Sequence, residues 1–277
     1  MFVAVNGVRL FTRRVGNGPL VVVLHGGPGA HHDYLLPQYD LLGTRRSLLY
    51  YDQRGGGQSP ADRDVPVGWR EHVADLEALR THLAMDRLTL CGYSWGGLLA
   101  LLYLTEHPGR IERLALVSPA APTIAYRRAF DAEFSRRMAS PEIRAERDAL
   151  GASGLRERDP AAYQRRAFAL SVAGYFRDPR DAQRLTPFRV TARTHQAVWD
   201  SLGEYDLLTR LRGLSALLPL VPSVVVHGTF DPIPIAGARA LADVLGAPLI
   251  ELPTGHCPHV EATDRFIAAL DRFLPKQ

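Results

Sequence analysis

Short apolar runs alternate with helical patterns along this chain, and this alternation constrains the fold more than any other feature of the sequence. Runs with the length and composition of buried strands lie at 21–25, 47–51, 88–91 and 113–117. Apolar residues at helical spacing occur at 69–85 and 95–106. A strand–helix–strand order joins parallel strands through helices that cover both faces of the sheet. We therefore predict the α/β class, with a mostly parallel twisted sheet between helices.

The alternation stops after Pro119 and resumes at a strand predicted over 223–227. Three segments between these points open with a capping residue followed by proline, at Ser140-Pro141, Asp159-Pro160 and Asp178-Pro179. The last part of the chain predicts a helix at 234–245, a strand at 248–252 and a closing helix at 260–274. We expect an all-helical cap at 119–213, inserted into a core formed by 1–118 and 214–277.

The segment LTLCGYSWGGLLALLYL, residues 88–104, contains the pattern G-x-S-x-G around Ser94. A strand precedes the pattern and an apolar helix follows it, which is the context in which such a turn exposes a nucleophilic serine. Gly92 and Gly96 suit the turn, because neighbouring backbone crowds it. The turn also aims the N-terminus of helix 95–106 at the reacting centre. We predict that Ser94 is a nucleophile.

A serine hydroxyl needs a base to take its proton, and the base needs an acid to orient it. Asp231 follows the predicted strand 223–227, and His256 follows the strand 248–252. Both lie at carboxyl ends of parallel strands, the edge that also holds Ser94. We predict a Ser94–His256–Asp231 triad that works through an acyl-enzyme. His259 is the rival for the base, but it falls on the closing helix.

The sequence HGGPG, residues 25–29, ends the buried run LVVVL. Acyl transfer builds negative charge on an oxygen, which two backbone N–H groups can stabilise. The amide of Trp95, directly after the nucleophile, is one expected donor. Glycine permits close approach of the backbone, so Gly27 is the expected second donor. A cis bond between Gly27 and Pro28 is also expected, because only X–Pro bonds adopt cis at low cost.

Other polar residues at strand ends suit structural roles. His25 and His227 are expected to satisfy loop backbone, and Asp52 is expected to hold the glycine loop 55–57 through bonds to backbone. The chain has no H-E-x-x-H and no CxxC pattern. We therefore predict neither a metal nor another cofactor.

The formal net charge is +4, and the basic residues are arginines except for Lys276. Many arginines fall within 127–212 between acids, which indicates a solvated, ion-paired surface and no nucleic-acid partner. No stretch approaches ~18 uninterrupted apolar residues, so we predict no membrane span. The N-terminus lacks the features of a signal peptide, and Cys91 and Cys257 are expected to be reduced thiols. A soluble cytoplasmic protein with a small-molecule or short-peptide substrate is the resulting prediction.

The chain resembles the α/β-hydrolases, and within them the proline iminopeptidase group. The motifs that match are HGGPG at 25–29, DQRGGGQS at 52–59 and GYSWGG at 92–97, and the predicted helical cap matches as well. The resemblance implies an α/β-hydrolase fold and the same roles for the three triad residues. It also implies an aminopeptidase that releases N-terminal residues, often proline, from short peptides.

Substrate recognition departs from that group's pattern. Its members hold the free amino group of the substrate with glutamates from the cap and near the catalytic acid, but here Pro232 follows Asp231. Glu204, which has aromatic neighbours in the sequence, is the candidate for the amine-binding acid. Its alternative role is that of a solvated acid at a helix end.

Two other functions stay open. One is a carboxylesterase, lactonase or carbon–carbon hydrolase, which needs an apolar pocket. Cap aromatics are the candidates to line that pocket, namely Phe168, Tyr175 and Phe176. The other is a ligand receptor built on a hydrolase scaffold. The fold alone does not choose between these functions, because one fold serves many substrates.

Overall fold

Eight strands form one sheet in a computed structural model that describes residues 1–214, 216–218 and 221–277. The strands are β1 Phe2–Val5, β2 Val8–Val15, β3 Leu20–Leu24, β4 Ser47–Tyr51, β5 Leu88–Tyr93, β6 Ile111–Val117, β7 Ser223–Gly228 and β8 Leu249–Leu252. Their order across the sheet is β1-β2-β4-β3-β5-β6-β7-β8. Neighbouring strands are parallel across the part of the sheet that runs from β4 through β3 and β5 to β8. At the other edge, β2 is antiparallel to both β1 and β4. The predicted fold class is confirmed.

The helices cover both faces of this sheet. They are α1 Trp69–His82, α2 Trp95–Glu106, α3 Ile124–Met138, α4 Pro141–Ala152, α5 Leu155–Arg158, α6 Pro160–Val172, α7 Ala192–Leu202, α8 Leu207–Arg212, α9 Ile235–Leu245, α10 Pro258–Glu261 and α11 Thr263–Phe273. Side chains of β3 alternate between two apolar cores. Val22 and Leu24 pack on the face covered by α1, α2 and α9, and Val21 and Val23 pack on the face covered by α11.

Helix α2 lies in the middle of the molecule, directly after the central strand β5. Every residue from Trp95 to Leu104 is buried. A helix that is apolar all round needs neighbours on every side, and here β5, α1 and α8 supply them. This burial holds the first turn of α2 rigidly at the carboxyl edge of the sheet.

The described residues between β6 and β7 form the helices α3 to α8, two 3₁₀ helices and the loops that join them. Ser140 and Asp159 cap α4 and α6 by accepting from the amides of Ile143 and Ala162, as the sequence predicts. Asp178 caps a 3₁₀ helix at Pro179–Arg184. The division into a cap at 119–213 and a core stays a prediction, and residues 215, 219 and 220 of the predicted core lie outside the described residues.

The predicted closing helix at 260–274 is wrong in one respect, because it is two helices. Ala262 has an extended φ of −145° and separates α10 from α11. The carboxylate of Glu261, at the end of α10, accepts from the amides of Gly255 and Arg177 at 2.9 Å each. These bonds hold the end of α10 against Gly255 in the preceding loop and against the Arg177 backbone.

In the part of the chain that the structure covers, no helix combines the length and apolarity needed to cross a bilayer. The longest apolar helix, α2, has twelve residues.

Candidate active site

Ser94 lies at a strained turn between β5 and α2. Its φ of 52° and ψ of −117° are unfavourable for a residue with a side chain. The backbone is crowded on both sides, because a Cβ at Gly92 would approach the Gly96 carbonyl oxygen to 2.5 Å and one at Gly96 would approach that of His25 to 2.8 Å. Glycine at both positions therefore permits the turn, which places the Ser94 hydroxyl at the carboxyl edge of the sheet.

Three predicted residues from distant parts of the chain meet at this edge. The Nε2 atom of His256 lies 3.0 Å from Ser94 Oγ. Its Nδ1 atom lies 2.9 Å from Asp231 Oδ2. Both distances are those of hydrogen bonds, so the imidazole bridges the hydroxyl and the carboxylate. The arrangement can take a proton from the hydroxyl while the carboxylate stabilises the imidazolium that forms.

The side-chain carboxylate of Asp231 is fully buried. Burial alone would raise its pKa, yet the imidazoles of His256 and His227 and the hydrogen bonds it accepts hold that pKa below its ordinary value. Its Oδ1 atom accepts from the Ile233 amide at 2.8 Å. One oxygen is thus fixed by backbone, which leaves the other directed at His256.

Gly27 and Trp95, the two predicted amide donors, line the same cavity as Ser94. Within the described chain, neither amide donates a hydrogen bond to a protein acceptor. Trp95 is the first residue of α2, where amides have no partner inside the helix. Gly27 has a φ of 66°, which turns the loop without a cis bond. The expected cis Gly27–Pro28 bond is therefore wrong, and the cis bond lies at Leu36-Pro37.

Gln53 ties the two donor-bearing segments together, and sequence reasoning missed it. Its side-chain Nε2 donates to the His25 carbonyl at 2.9 Å, and its Oε1 accepts from the Trp95 indole at 2.7 Å. Its backbone amide donates to His25 Nε2 at 3.1 Å. The DQRGGGQS pattern contains this residue, but only the folded chain shows which groups it joins.

The loop that carries His256 is held by two further residues. The Tyr175 ring stacks on the His256 imidazole with centroids 5.0 Å apart, and its carbonyl accepts from the His256 amide at 2.7 Å. Glu261 accepts from the amides of Gly255 and Cys257 on either side. Burial raises the pKa of Glu261, and the amide bonds oppose that rise. Tyr175 was expected as a pocket residue, whereas no sequence signal marks Glu261.

A cavity of about 700 Å³ opens above Ser94. Its walls are largely aromatic and come from α3, α6, α7 and the loops between them. Phe168 and Tyr175 line it as expected. Phe176 is buried in the core beside it and does not line it. Glu204 does not line it either, because its side chain is 70% exposed and pairs with Arg128 on the surface.

His25 and Asp52, at two other strand ends, have structural contacts, and Asp52 bonds to the amide directly after the loop 55–57. His25 accepts from the Gln53 amide and contacts the Gly26 carbonyl, and burial lowers its pKa to about 4. Asp52 accepts from the amides of His32 and Gln58. His259 is buried against aromatic rings away from the Ser94 hydroxyl. Across the described residues, no group of three or more His, Cys, Asp or Glu side chains could hold a metal ion.

Comparison with known proteins adds to this geometry. A family model described as the alpha/beta hydrolase fold matches residues 19–263. The chain is 41% identical over 120 residues to the proline iminopeptidase of Lactobacillus helveticus, and the match covers 40% of this chain and 40% of that relative. The chain therefore matches well under half the length of this curated relative.

Solved structures share the architecture over nearly the whole chain. The enol-lactonase from Burkholderia xenovorans LB400 has a TM-score of 0.66 and 25% identity, and the alignment covers 99% of each chain. The esterase EaEST from Exiguobacterium antarcticum has a TM-score of 0.71 and 22% identity, with 98% of each chain covered. The second likeness shows the fold alone.

Proposed function

The chain belongs to the α/β-hydrolase family and is a hydrolase, and on that premise we propose that it is a serine hydrolase acting through an acyl-enzyme. One observation carries the proposal: His256 contacts both Ser94 Oγ and Asp231 at hydrogen-bond distance. An aligned base and acid are what a serine hydroxyl needs to attack at neutral pH.

The proposed reaction has two steps. Ser94 Oγ attacks the acyl carbon while His256 Nε2 takes the hydroxyl proton, and the amides of Gly27 and Trp95 stabilise the oxyanion. His256 then gives the proton to the leaving group as the bond to it breaks. A water molecule releases the acyl group by the same sequence, and Ser94 regains its proton.

The helical segment 119–213 is proposed to act as a cap over this centre. Support comes from the cavity, whose upper wall is formed by residues between Arg127 and Trp199. Helix α7 is held on the core by Thr194, whose side-chain hydroxyl donates to the Gly55 carbonyl at 3.0 Å. A cap fixed at this point would set the size of the substrate.

We propose an aminopeptidase that releases N-terminal residues from short peptides as the first substrate class. The proline iminopeptidase relative supports this class, although the match covers only 40% of each chain. Asp131 also supports it, since it is the one carboxylate among the described residues that line the cavity. Asp131 replaces Glu204 as the candidate for an ammonium contact.

The second substrate class is small esters or lactones. The aromatic lining of the cavity favours it, with Phe130, Phe134, Phe168 and Phe188 all facing the space above Ser94. An apolar wall suits an acyl chain better than a charged amine.

The test combines labelling with turnover. A fluorophosphonate probe should modify the wild type, and Ser94→Ala should abolish labelling and lower kcat by about 10⁴-fold or more. Ser171→Ala is the matched control, because this cavity-lining hydroxyl donates to the Phe168 carbonyl at 2.7 Å. Labelling of the Ser94→Ala variant would reject Ser94 as the nucleophile.

A substrate panel separates the two classes. Prolyl and other aminoacyl arylamides are compared with para-nitrophenyl esters of increasing chain length, using the purified wild type. Turnover of the arylamides supports the aminopeptidase. Turnover restricted to the esters rejects it and supports the second class.

A further inference from the structure

The geometry points to Arg127 as a binding site for a carboxylate carried by the substrate. The inference rests on the proposed function, because Arg127 lines the same cavity as Ser94. It goes beyond that function by naming a chemical group that the preferred substrates carry.

Arg127 is held in place before any substrate arrives. Its guanidinium lies over the Trp199 ring, with Cζ 3.7 Å from the ring centroid. Its Nε atom lies 3.2 Å from both carboxylate oxygens of Asp131, one turn further along α3. The side chain is 20% exposed. A guanidinium fixed by stacking and by one ion pair loses little entropy when it binds a ligand.

Among the described residues, the outer edge of the guanidinium has no hydrogen-bond partner. Only Nε contacts Asp131, and within the described chain the Nη1 and Nη2 atoms donate to no acceptor. The contrast with neighbouring arginines is clear, because Arg137 uses its Nη1 atom on the Phe230 carbonyl at 2.7 Å. A ligand that enters the cavity and accepts from both Nη atoms would gain two charge-assisted hydrogen bonds.

Arg127 is also the one arginine or lysine among the described residues that line the cavity. His195 lines the same wall, but burial lowers its pKa and the charge of Arg127 lowers it further. The cation that an incoming anion meets is therefore Arg127. Asp131 partly offsets the charge, but its side chain is 53% exposed and contacts Arg127 through Nε alone.

A carboxylate is the group that fits these donors. Two parallel N–H donors on a planar guanidinium match the two oxygens of a carboxylate, with charge assistance. The carboxylate can belong to the acyl part, as in a half-ester of a dicarboxylic acid. It can also belong to the leaving part, as in the C-terminus of a short peptide. Both sources share the same contact with Arg127.

Two pairs of substrates test the contact and separate the sources. Mono-para-nitrophenyl glutarate is compared with its methyl ester for the acyl side, and para-acetoxybenzoate with its methyl ester for the leaving side. In at least one pair, the wild type should show a higher kcat/KM for the acid than for the neutral ester.

Arg127→Gln should lower this acid-to-neutral ratio of kcat/KM by about 10- to 100-fold, by raising KM for the acid. Arg127→Lys should give an intermediate ratio, because it keeps the charge and loses the planar fork.

Arg128→Gln is the matched control. Arg128 is the next residue on α3, but its side chain is 68% exposed and pairs with Glu204 outside the cavity. This variant should keep the wild-type ratio. Equal kcat/KM for acid and neutral substrates in both pairs would overturn the proposal. So would a ratio that Arg127→Gln leaves unchanged.

A binding measurement keeps the outcome independent of turnover. Monomethyl glutarate is titrated into the Ser94→Ala protein by calorimetry, with and without Arg127→Gln. The second substitution should raise Kd by about tenfold or more. If the wild type hydrolyses no ester and resists the fluorophosphonate, the serine-hydrolase mechanism fails while this titration still tests Arg127. Undetectable or Arg127-independent binding would overturn the carboxylate site.

Discussion

At the scale of single residues, the site depends on positions where a side chain does not fit. Gly26 is one of these positions, in addition to the two glycines of the serine turn. A Cβ at Gly26 would lie 2.8 Å from the Cβ of Ser94 and 2.8 Å from the hydroxyl oxygen of Tyr34. The first glycine of HGGPG thus packs directly against the proposed nucleophile, while the second supplies an amide.

We predict that Gly26→Ala lowers kcat by about 100-fold, because it displaces the serine hydroxyl from His256 by an appreciable fraction of an ångström. Steady-state kinetics on a para-nitrophenyl ester would measure the loss. Gly109→Ala is the control, since nothing lies within 4 Å of a Cβ there. Equal kcat in the wild type and Gly26→Ala would show that the close packing is unimportant.

At the scale of secondary-structure elements, the carboxyl edge of the sheet is assembled from the ends of β3, β4, β5, β7 and β8. Gln53 follows β4 and bonds to His25 after β3 and to Trp95 after β5. Three neighbouring strand ends are thereby joined through one side chain and its amide. Because the two proposed oxyanion donors lie on the segments after β3 and β5, which Gln53 joins, their separation depends on Gln53.

We predict that Gln53→Ala lowers kcat by about 10- to 100-fold and changes KM little, because misplaced donors weaken transition-state binding. The separate values of kcat and KM for one ester would test this. Gln58→Ala changes an exposed glutamine of the same loop and should leave both values unchanged. A loss confined to KM would indicate a role in substrate binding and contradict the positioning role.

At the scale of the whole molecule, buried neutral histidines link stability to pH. Burial lowers the pKa of His25 to about 4, and that of His72 and His259 to about 3. An unfolded histidine titrates near 6.5, as model peptides do. Between these values the unfolded chain binds protons that the folded chain does not. The contribution of these three histidines to the free energy of unfolding is therefore fully present above about pH 6.5 and is lost as the pH drops below that value.

We predict that His259→Phe reduces this acid sensitivity. The ring packs against Tyr39, Tyr93 and Phe266, so an apolar ring suits its surroundings. The slope of unfolding free energy against pH should decrease by about 1.4 kcal/mol per pH unit between pH 4 and 6, which is about one proton. Urea unfolding at several pH values would measure it. His82→Gln, at an exposed position, should keep the wild-type slope, and an unchanged slope in His259→Phe would contradict the prediction.

Patterns in the sequence were enough to predict the order of strands and helices along the chain and the residue types that follow the strands. Helix α2 begins and ends at its predicted residues, and β4 does as well. These features depend on residue period, on caps and on local steric limits, all of which act between near neighbours in the chain. The proposed triad residues could be predicted because each follows a strand, and the carboxyl ends of parallel strands lie at one edge of the sheet.

Contacts between residues that are distant in the chain could be read only from the folded structure. Arg127 meets Trp199, Gln53 meets Trp95, and Glu261 meets Arg177 only after the helices and loops pack. No local pattern encodes such pairs, because their distances depend on how whole elements are placed against one another. The same reason explains why Glu204 faces solvent with Arg128 while Asp131 lines the cavity, although both are acids of the helical segment.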